Sequence, residues 1–360
     1  MKYSDIVDYD KLDPVKVAAI ESFSGTVKNT ERLGIKVVAE TMGEPAIALD
    51  VIGQDYMLAF NVEGLGTKNL IADSMFSDSR GKGVKYYESI GKDCLAMSTN
   101  DLASIGADAL VYGDILSSGD SNWFADTEKA KAIIKGFKQG ADEIGLAIPC
   151  GETPTLKGVV NESTIDMAGA SVGIIKPKEN LTYGQDLVAD DIIIGLEASG
   201  IHSNGVSLAR KVAEQLPDGY FTEMPGNGKL FGEELLVPTT LYTRALMDML
   251  NSCKISYLSP ITGHGWKKIM RAKKPFTYKI DFVPEPSELF KFLVEKSGVT
   301  EKESYFTWNM GLGYAIMAPK ESRNAIFKAS EKHGIKAFDL GSVREGNKSV
   351  AIKPKDIVFE

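Results

Sequence analysis

The amino-acid sequence predicts an α/β protein built from two domains. Its 360 residues exceed what one hydrophobic core usually supports, since compact domains cluster near ~100–200 residues. Short apolar runs alternate with amphipathic helical patterns, which is the order expected of an α/β fold. A charged, proline-containing turn at residues 174–180 interrupts this order near the middle of the chain. We therefore expect an N-terminal domain over residues 1–175 and a C-terminal domain over residues 176–360.

Strands are predicted from short apolar runs, and helices from apolar residues at intervals of three and four. The predicted strands are residues 56–62, 110–112, 146–149, 168–175, 192–196 and 312–317. The clearest helical pattern covers residues 127–145, where Asp126 or Thr127 can cap the first turn. The remaining predicted elements are helices at 91–106 and after Asn204, and a surface loop at 216–232.

Composition and charge exclude several classes of protein. Apolar residues make up 43% of the chain and charged residues 25%, which is typical of globular proteins and not of disordered chains. The net charge of −8 argues against a nucleic-acid partner or an anionic membrane surface. Three widely spaced cysteines form no disulfide framework or zinc motif. The polar N-terminus and the lack of a long apolar run predict a cytoplasmic protein that does not span a membrane.

Residues 63–68, with the sequence E-G-L-G-T-K, form a glycine-containing loop after the first predicted strand. Gly64 and Gly66 let backbone N–H groups approach an anion closely. The pattern is not a Walker A loop, which has a different glycine spacing. Two interpretations stay open: a plain turn with a solvated Lys68, or a site where Glu63 binds a metal ion and Lys68 a phosphate.

Two further carboxylates occupy positions that suit a metal site. Asp101 lies in a predicted helix in line with the apolar residues Met97 and Ile105. An ionised carboxylate there needs a cation, a hydrogen-bond network or access to water, because an unpaired buried charge costs several kcal/mol. Glu152 follows another predicted strand, where an exposed loop acid is the simpler alternative. Together with Glu63, these acids would suit Mg²⁺, which takes oxygen ligands from carboxylates and substrate phosphates.

Two turns carry histidines. Residues 199–205, S-G-I-H-S-N-G, gather an imidazole, hydroxyls and an amide before a helix whose N-terminus offers free N–H groups to an anion. His202 and Asn204 are therefore candidate substrate contacts, with helix capping and an exposed imidazole as the alternative. The second turn contains His264 and leads into a basic run at 267–274, which either meets a phosphate or forms a solvated face.

Taken in chain order, these segments resemble the aminoimidazole ribonucleotide (AIR) synthetase family, the phosphoribosylformylglycinamidine cyclo-ligases of purine synthesis. The family patterns D-G-V-G-T-K, N-D, G-G-E-T, S-S-G-x-H-S-N-G, L-x-P-T-x-x-Y and F-N-M-G-x-G are similar to residues 63–68, 100–101, 150–153, 198–205, 236–242 and 308–313. The resemblance implies an ATP-dependent, Mg²⁺-requiring enzyme acting on a small ribonucleotide. It also implies two AIR synthetase-like α/β (α+β) domains in a homodimer, with the N-terminal strands of both subunits forming a barrel.

The resemblance also implies roles for individual residues. The metal ligands would be Glu63, Asp101 and Glu152. The nucleotide contacts would be Gly64, Gly66, Thr67, Lys68, Asn100, Gly151, Thr153 and Lys28. The catalytic residues would be His202, Asn204 and Lys68. An ordinary histidine pKa near ~6.5 would suit His202 to proton transfer at neutral pH.

Three residues depart from the family patterns: Glu63 replaces an aspartate, Cys150 a glycine of G-G-E-T, and His264 a glycine of I-T-G-G-G. These departures leave two other functions open. One is an ATP-using enzyme of the same superfamily with a different amide or phosphate substrate, and the other is a non-catalytic nucleotide-binding protein. The second is disfavoured because a disused site has no physical need for a cluster of mutually repelling acids.

Overall fold

Two β-sheets, formed by successive halves of the chain, organise the structure, a computed structural model that describes residues 6–77 and 83–360. Among these residues, the first sheet has six strands in the order β1-β2-β3-β6-β4-β5. They are β1 (Ile35–Val37), β2 (Ile47–Val51), β3 (Met57–Gly64), β4 (Asp108–Ser118), β5 (Ala147–Glu152) and β6 (Ile165–Ile175). Neighbouring strands are antiparallel except for the parallel pair β4 and β5. The helices of this half are α1 (Tyr9–Phe23), α2 (Asn69–Ser77), α3 (Lys85–Ser104) and α4 (Thr127–Ile144).

The second half forms a sheet whose described strands follow the order β13-β12-β9-β11-β7-β10-β8. They are β7 (Ile192–Glu197), β8 (Tyr257–Pro260), β9 (Phe276–Ile280), β10 (Leu312–Ala318), β11 (Ala337–Glu345), β12 (Ser349–Ile352) and β13 (Ile357–Phe359). The helices are α5 (Val206–Ala213), α6 (Phe231–Leu235), α7 (Thr243–Ser252), α8 (Glu288–Ser297), α9 (Glu301–Thr307) and α10 (Arg323–Lys332). Strand β10 is buried along its whole length, which explains its continuous apolar run.

Helix α3 is the central element of the N-terminal half. It packs on the inner face of the first sheet, where the Ser98 hydroxyl donates to the Asn61 side-chain oxygen on β3 at 2.7 Å. Its outer side packs against α4 at close range, because Gly136 faces the backbone of α3. A Cβ atom at Gly136 would lie 1.9 Å from the Glu88 carbonyl oxygen, so only glycine permits this approach. The C-terminal part of α3 then reaches the second half of the chain.

The outer face of the first sheet is apolar and open to solvent in the single chain. Phe60 and Val62 on β3 are 41% and 61% exposed, and Leu110 and Ile115 on β4 are 47% and 44% exposed. Strand β3 lies between β2 and β6, with its backbone paired to β6 over residues 57–64 and to β2 over residues 57–60, whereas its outer side chains lack cover.

The strongest periodic patterns in the sequence give the observed elements. The predicted strands at 110–112, 168–175, 192–196 and 312–317 lie within β4, β6, β7 and β10, and α3, α4 and α5 form where helices were expected. Asp126 caps α4 by accepting a hydrogen bond from the Lys129 backbone N–H at 3.4 Å. Several boundaries were wrong: α3 begins six residues before the expected start at 91, and β3 extends to Gly64. Strand β5 extends to Glu152 because it pairs with β4, and α6 begins inside the expected 216–232 loop. None of the described helices has the length and apolar character needed to cross a bilayer.

Candidate active site

Glu63 and Asp101 meet in the interior between the first sheet and α3. Glu63 lies near the end of β3 on the inner face of the sheet, and the two carboxyl groups are within hydrogen-bonding range. Burial raises the pKa of Glu63. Burial and the neighbouring Glu63 charge raise the pKa of Asp101 well above its usual range. Two acids so close together favour a shared proton or a bound cation. The partner that a buried Asp101 carboxylate needs is therefore Glu63, together with that proton or cation.

Cations from the C-terminal half face this acid pair. Lys268 and Arg271 belong to the segment 265–271 and interact electrostatically with both carboxylates. Burial lowers the pKa of Lys268 to about 8. The Arg271 guanidinium also donates to the Gly43 carbonyl at 2.7 Å and lies 3.7 Å from the Glu44 carboxylate. Lys268 and Arg271 of the basic run are therefore contacts between the two halves of the chain and do not form a solvated helix face. Lys267 and Lys274 instead donate to carbonyl groups within the C-terminal half.

Glu152 does not join the acid pair within one chain. The register across β3, β6, β4 and β5 aligns Glu63 with Gly151, so the next residue, Glu152, points to the opposite face of the sheet. Three strand spacings also separate the two positions, which amounts to ~14 Å. Among the described residues, no group of three His, Cys, Asp or Glu side chains could hold a metal ion. The structure thus brings together two of the three predicted ligands.

Lys68 is fully buried and already paired, in contrast to the phosphate contact expected from the sequence. Its ammonium lies 2.8 Å from the Asp93 carboxylate and donates to the Val237 carbonyl at 2.9 Å. Asp93 in turn accepts hydrogen bonds from the Thr239 backbone N–H at 2.7 Å and hydroxyl at 2.5 Å. Sequence reasoning missed Asp93, although it precedes Asp101 by two steps of four on the same helical stripe.

The Asn100 side chain is engaged by the protein itself. Its amide nitrogen donates to the Thr240 carbonyl at 2.8 Å, and its amide oxygen accepts from the Tyr242 backbone N–H at 2.9 Å. Its own backbone carbonyl accepts from the Tyr314 hydroxyl. The structure therefore places Asn100 as a link between α3 and the C-terminal half, whereas the family resemblance implied a nucleotide contact.

His202 lies in a left-handed backbone conformation, with φ of 60°, at the turn before α5. Burial, assisted by the positive charge of Lys68, lowers the pKa of His202 to about 3. The expectation of a histidine that titrates near neutral pH was therefore wrong. The imidazole is neutral, packs edge-on against Tyr242, and has a buried Nε2 without a hydrogen-bond partner in the structure.

A small cavity of about 20 Å³ lies between His202 and Asp101. Its wall is formed by both halves of the chain. The polar residues in the wall are Asn100, Asp101, His202, Asn204, Thr239, Tyr242, Thr262 and Tyr314. His202 lines this space, and a ligand atom or a water molecule that reached its unpartnered Nε2 would satisfy it.

The other predicted residues fall into two groups. Gly66 has φ of 77°, which confirms a turn that favours glycine, and the Thr67 hydroxyl lies 3.3 Å from the Ser207 hydroxyl at the start of α5. This group borders the junction of the two halves. Lys28 is exposed in the 3-10 segment Ser24–Leu33, and Gly151 and Thr153 are exposed at the end of β5.

His264 also has a left-handed backbone, with φ of 68°, which explains why the related pattern has glycine there. Its ring packs edge-to-face against Phe306 at 5.6 Å between centroids. Its Nε2 lies 3.6 Å from the Asp13 carboxylate on α1. The side chain is not part of the cavity wall around Asp101 and His202.

The pKa of His202 predicts a specific acid sensitivity. The unfolded chain binds a proton at this residue below ~6.5, whereas the folded protein does not until about pH 3, so stability falls as pH falls through this window. Between pH 7.5 and pH 5, the loss from His202 alone should be about 2 kcal/mol. A His202→Gln variant should lack this loss, which urea unfolding at both pH values can measure. Equal pH dependence in the two proteins would contradict the assignment.

Comparison with known proteins identifies the family. The description "AIR synthase related protein, N-terminal domain" matches residues 43–175, and "AIR synthase related protein, C-terminal domain" matches residues 188–353. A phosphoribosylformylglycinamidine cyclo-ligase of Methanocaldococcus jannaschii is 35% identical over 303 residues, covering 82% of each chain. A protein of the same name from Methanosarcina barkeri is 34% identical over 309 residues, covering 85% of this chain and 84% of the relative.

Solved structures share the fold at lower sequence identity. One described as "AaThiL complexed with AMPPCP and TMP" has a TM-score of 0.61 at 14% identity, covering 98% of this chain and 96% of that chain. Another, "Crystal Structure of Hydrogenase Maturation Protein HypE in complex with ATP", has a TM-score of 0.57 at 16% identity and covers 88% of both chains. With both domain descriptions matched in order and identity above 30% over most of the chain, this protein belongs to the AIR synthase related family.

Proposed function

We propose that this protein is an ATP-dependent cyclo-ligase that converts formylglycinamidine ribonucleotide to aminoimidazole ribonucleotide. The observation that carries the proposal is the buried Glu63–Asp101 pair, which faces Lys268 and Arg271 across the junction of the two halves. Acids and cations gathered at the junction of the two halves suit a reaction that transfers a phosphoryl group. The proposed substrate is taken from the names of the relatives. We propose that the protein is located in the cytoplasm.

The acid pair fits a magnesium ion. Burial raises the pKa of both carboxyl groups, and the Glu63 charge raises that of Asp101 further, so a divalent cation would stabilise both in the ionised form. Mg²⁺ commonly takes one or two carboxylates together with phosphate oxygens. When bound, the ion would neutralise phosphate charge during the transfer. Glu152 lies on the other face of the sheet, so it could bind a ligand only at the face that a partner subunit would cover.

The remaining residues would bind and orient the substrates. ATP would phosphorylate the formyl-amide oxygen, the amidine nitrogen would close the imidazole ring, and phosphate would leave. Lys268 and Arg271 would neutralise phosphate charge, and the neutral His202 Nε2, with Asn204, would hydrogen-bond the substrate. Lys68 would not contact the substrate. Its positive charge would help to keep His202 neutral, and its hydrogen bond to Val237 would hold the C-terminal half in place. The nucleotide contacts inferred for Gly64, Gly66, Thr67, Lys28, Gly151 and Thr153 stay predictions.

The direct test is to incubate the purified protein with formylglycinamidine ribonucleotide, ATP and Mg²⁺. We expect aminoimidazole ribonucleotide, detected by diazo coupling, in equal amounts to the ADP released. ATP turnover without this product would point to another amide or phosphate substrate. ATP binding with no turnover under any substrate would leave a nucleotide-binding protein without catalysis.

We also propose that the active form is a homodimer joined through the N-terminal sheets. The apolar outer face with Phe60, Val62, Leu110 and Ile115 is the surface that a partner subunit would cover. Light scattering at micromolar concentration should give about twice 39.0 kDa, and Val62→Asp should shift the protein towards 39.0 kDa. A wild-type mass of 39.0 kDa would contradict the proposal.

A further inference from the structure

A buried ion pair of the N-terminal half holds a segment of the C-terminal half behind the candidate active site. The Lys68 ammonium and the Asp93 carboxylate lie 2.8 Å apart, and neither side chain has any exposed surface. Each also contacts the segment 237–239 of the C-terminal half: Lys68 through the Val237 carbonyl, and Asp93 through both the N–H and the hydroxyl of Thr239. Three chain segments that are distant in sequence therefore meet at Asp93.

Stability alone is a poor explanation for such a pair. Desolvating two charges costs free energy that their attraction only partly returns, and apolar residues of similar volume often serve a fold equally well. What the pair provides is geometric specificity. Two carboxylate hydrogen bonds to Thr239 and one ammonium bond to Val237 fix this segment in one position relative to α3 and the 63–68 loop.

The position of this segment sets the position of the site. Two turns further along α3, Asn100 holds Thr240 and Tyr242 through its side chain. Tyr242 packs against the His202 ring, and its hydroxyl donates to the Glu197 carbonyl at the end of β7 at 2.7 Å. A shift of residues 237–242 would therefore move His202 relative to Asp101, the neighbour of Asn100.

We propose that Asp93 is a positioning residue, which locks the segment 237–242 so that His202 on the C-terminal half faces the Glu63–Asp101 pair on the N-terminal half. The inference rests on the proposed function for the identity of the reaction. The placement of residues 237–242 does not depend on the proposed function, because it can be measured without substrate.

The test uses two variants in the full-length protein. Asp93→Asn removes the charge and leaves Lys68 without its ion pair, whereas Thr239→Val removes one hydrogen bond to Asp93 and leaves the ion pair in place. The matched control is Asp108→Asn, which breaks an ion pair between the halves, Arg244 with Asp108 at 3.1 Å, outside the cavity wall. Thr239→Val and Asp108→Asn each lose a polar contact between the halves, whereas Asp93→Asn loses the ion pair with Lys68, which itself contacts Val237. We expect only Asp93→Asn and Thr239→Val to loosen residues 237–242.

We expect Asp93→Asn to lower kcat by ~100-fold and Thr239→Val by ~10-fold, with less than a threefold change in KM for ATP, because small misplacements of reacting groups mainly affect the chemical step. Asp108→Asn should keep kcat near the wild-type value. Hydrogen exchange without substrate should show faster exchange at 237–242 in the first two variants, and not in the control.

The outcomes separate the possible roles. If Asp93→Asn does not fold, Thr239→Val carries the test, since it retains the charged pair. Equal kcat per folded molecule in Thr239→Val and Asp108→Asn, or unchanged exchange at 237–242, would overturn the positioning role. If the wild-type protein forms no aminoimidazole ribonucleotide, the proposed function fails, and the exchange measurement still decides whether Asp93 locks this segment.

Discussion

Replacing Asp101 with asparagine is expected to lower Mg²⁺-dependent ATP turnover by at least ~100-fold while leaving the fold intact. Changes to groups around a metal ligand already cost ~10–100-fold in metal affinity or activity, and loss of a ligand should cost no less. Asparagine keeps the size of the side chain but removes the charge that repels Glu63. The melting temperature should therefore equal or exceed that of the wild-type protein, since burial of two neighbouring acids is unfavourable.

The measurement is ATP turnover as a function of Mg²⁺ concentration, together with thermal unfolding of the same samples. Asp114→Asn is the matched control, because Asp114 shares the sheet face of Glu63 two strands away and burial raises its pKa as well. We expect its Mg²⁺ dependence to follow the wild-type curve. Near-wild-type turnover of the Asp101 variant at limiting Mg²⁺ would show that Asp101 is not a metal ligand.

Replacing Lys68 with methionine is expected to destabilise the protein by about 3–5 kcal/mol at neutral pH. Methionine keeps the apolar stem but leaves the fully buried Asp93 without its cation. The matched control is Lys135→Met, which removes a lysine that pairs with another acid of α3, Glu88, at 2.7 Å. That lysine is 60% exposed, so its loss should cost no more than about 1 kcal/mol.

Denaturant unfolding of both variants tests this contrast, and pH adds a second check. Burial raises the pKa of Asp93 above that of the unfolded chain, so without Lys68 the folded protein takes up a proton that the unfolded chain does not. Part of the stability lost in Lys68→Met at neutral pH should therefore return as the pH is lowered, relative to wild type. Equal losses for the two lysines would mean that the buried pair is no more important than a surface contact.

Local sequence patterns were sufficient for much of the fold and for part of the site. Strands such as β7 and β10 and helices such as α4 follow from the periodicity of apolar residues, which reflects contacts within one element. The sequence also predicted that Asp101 needs a partner, because burying an unpaired carboxylate among apolar residues costs free energy whatever the rest of the fold is.

The partners themselves were decided only by tertiary structure. Glu152 does not join the acid pair because the register of four strands places it on the opposite face of the sheet. A register shift of one residue would move its side chain to the same face as Glu63. Lys68 has Asp93 as its partner, and His202 is neutral, because both are buried where the two halves meet. Burial and charge pairing depend on residues distant in the chain. The sequence by itself therefore determined the kinds of residue at the site, and the fold decided their charges and their neighbours.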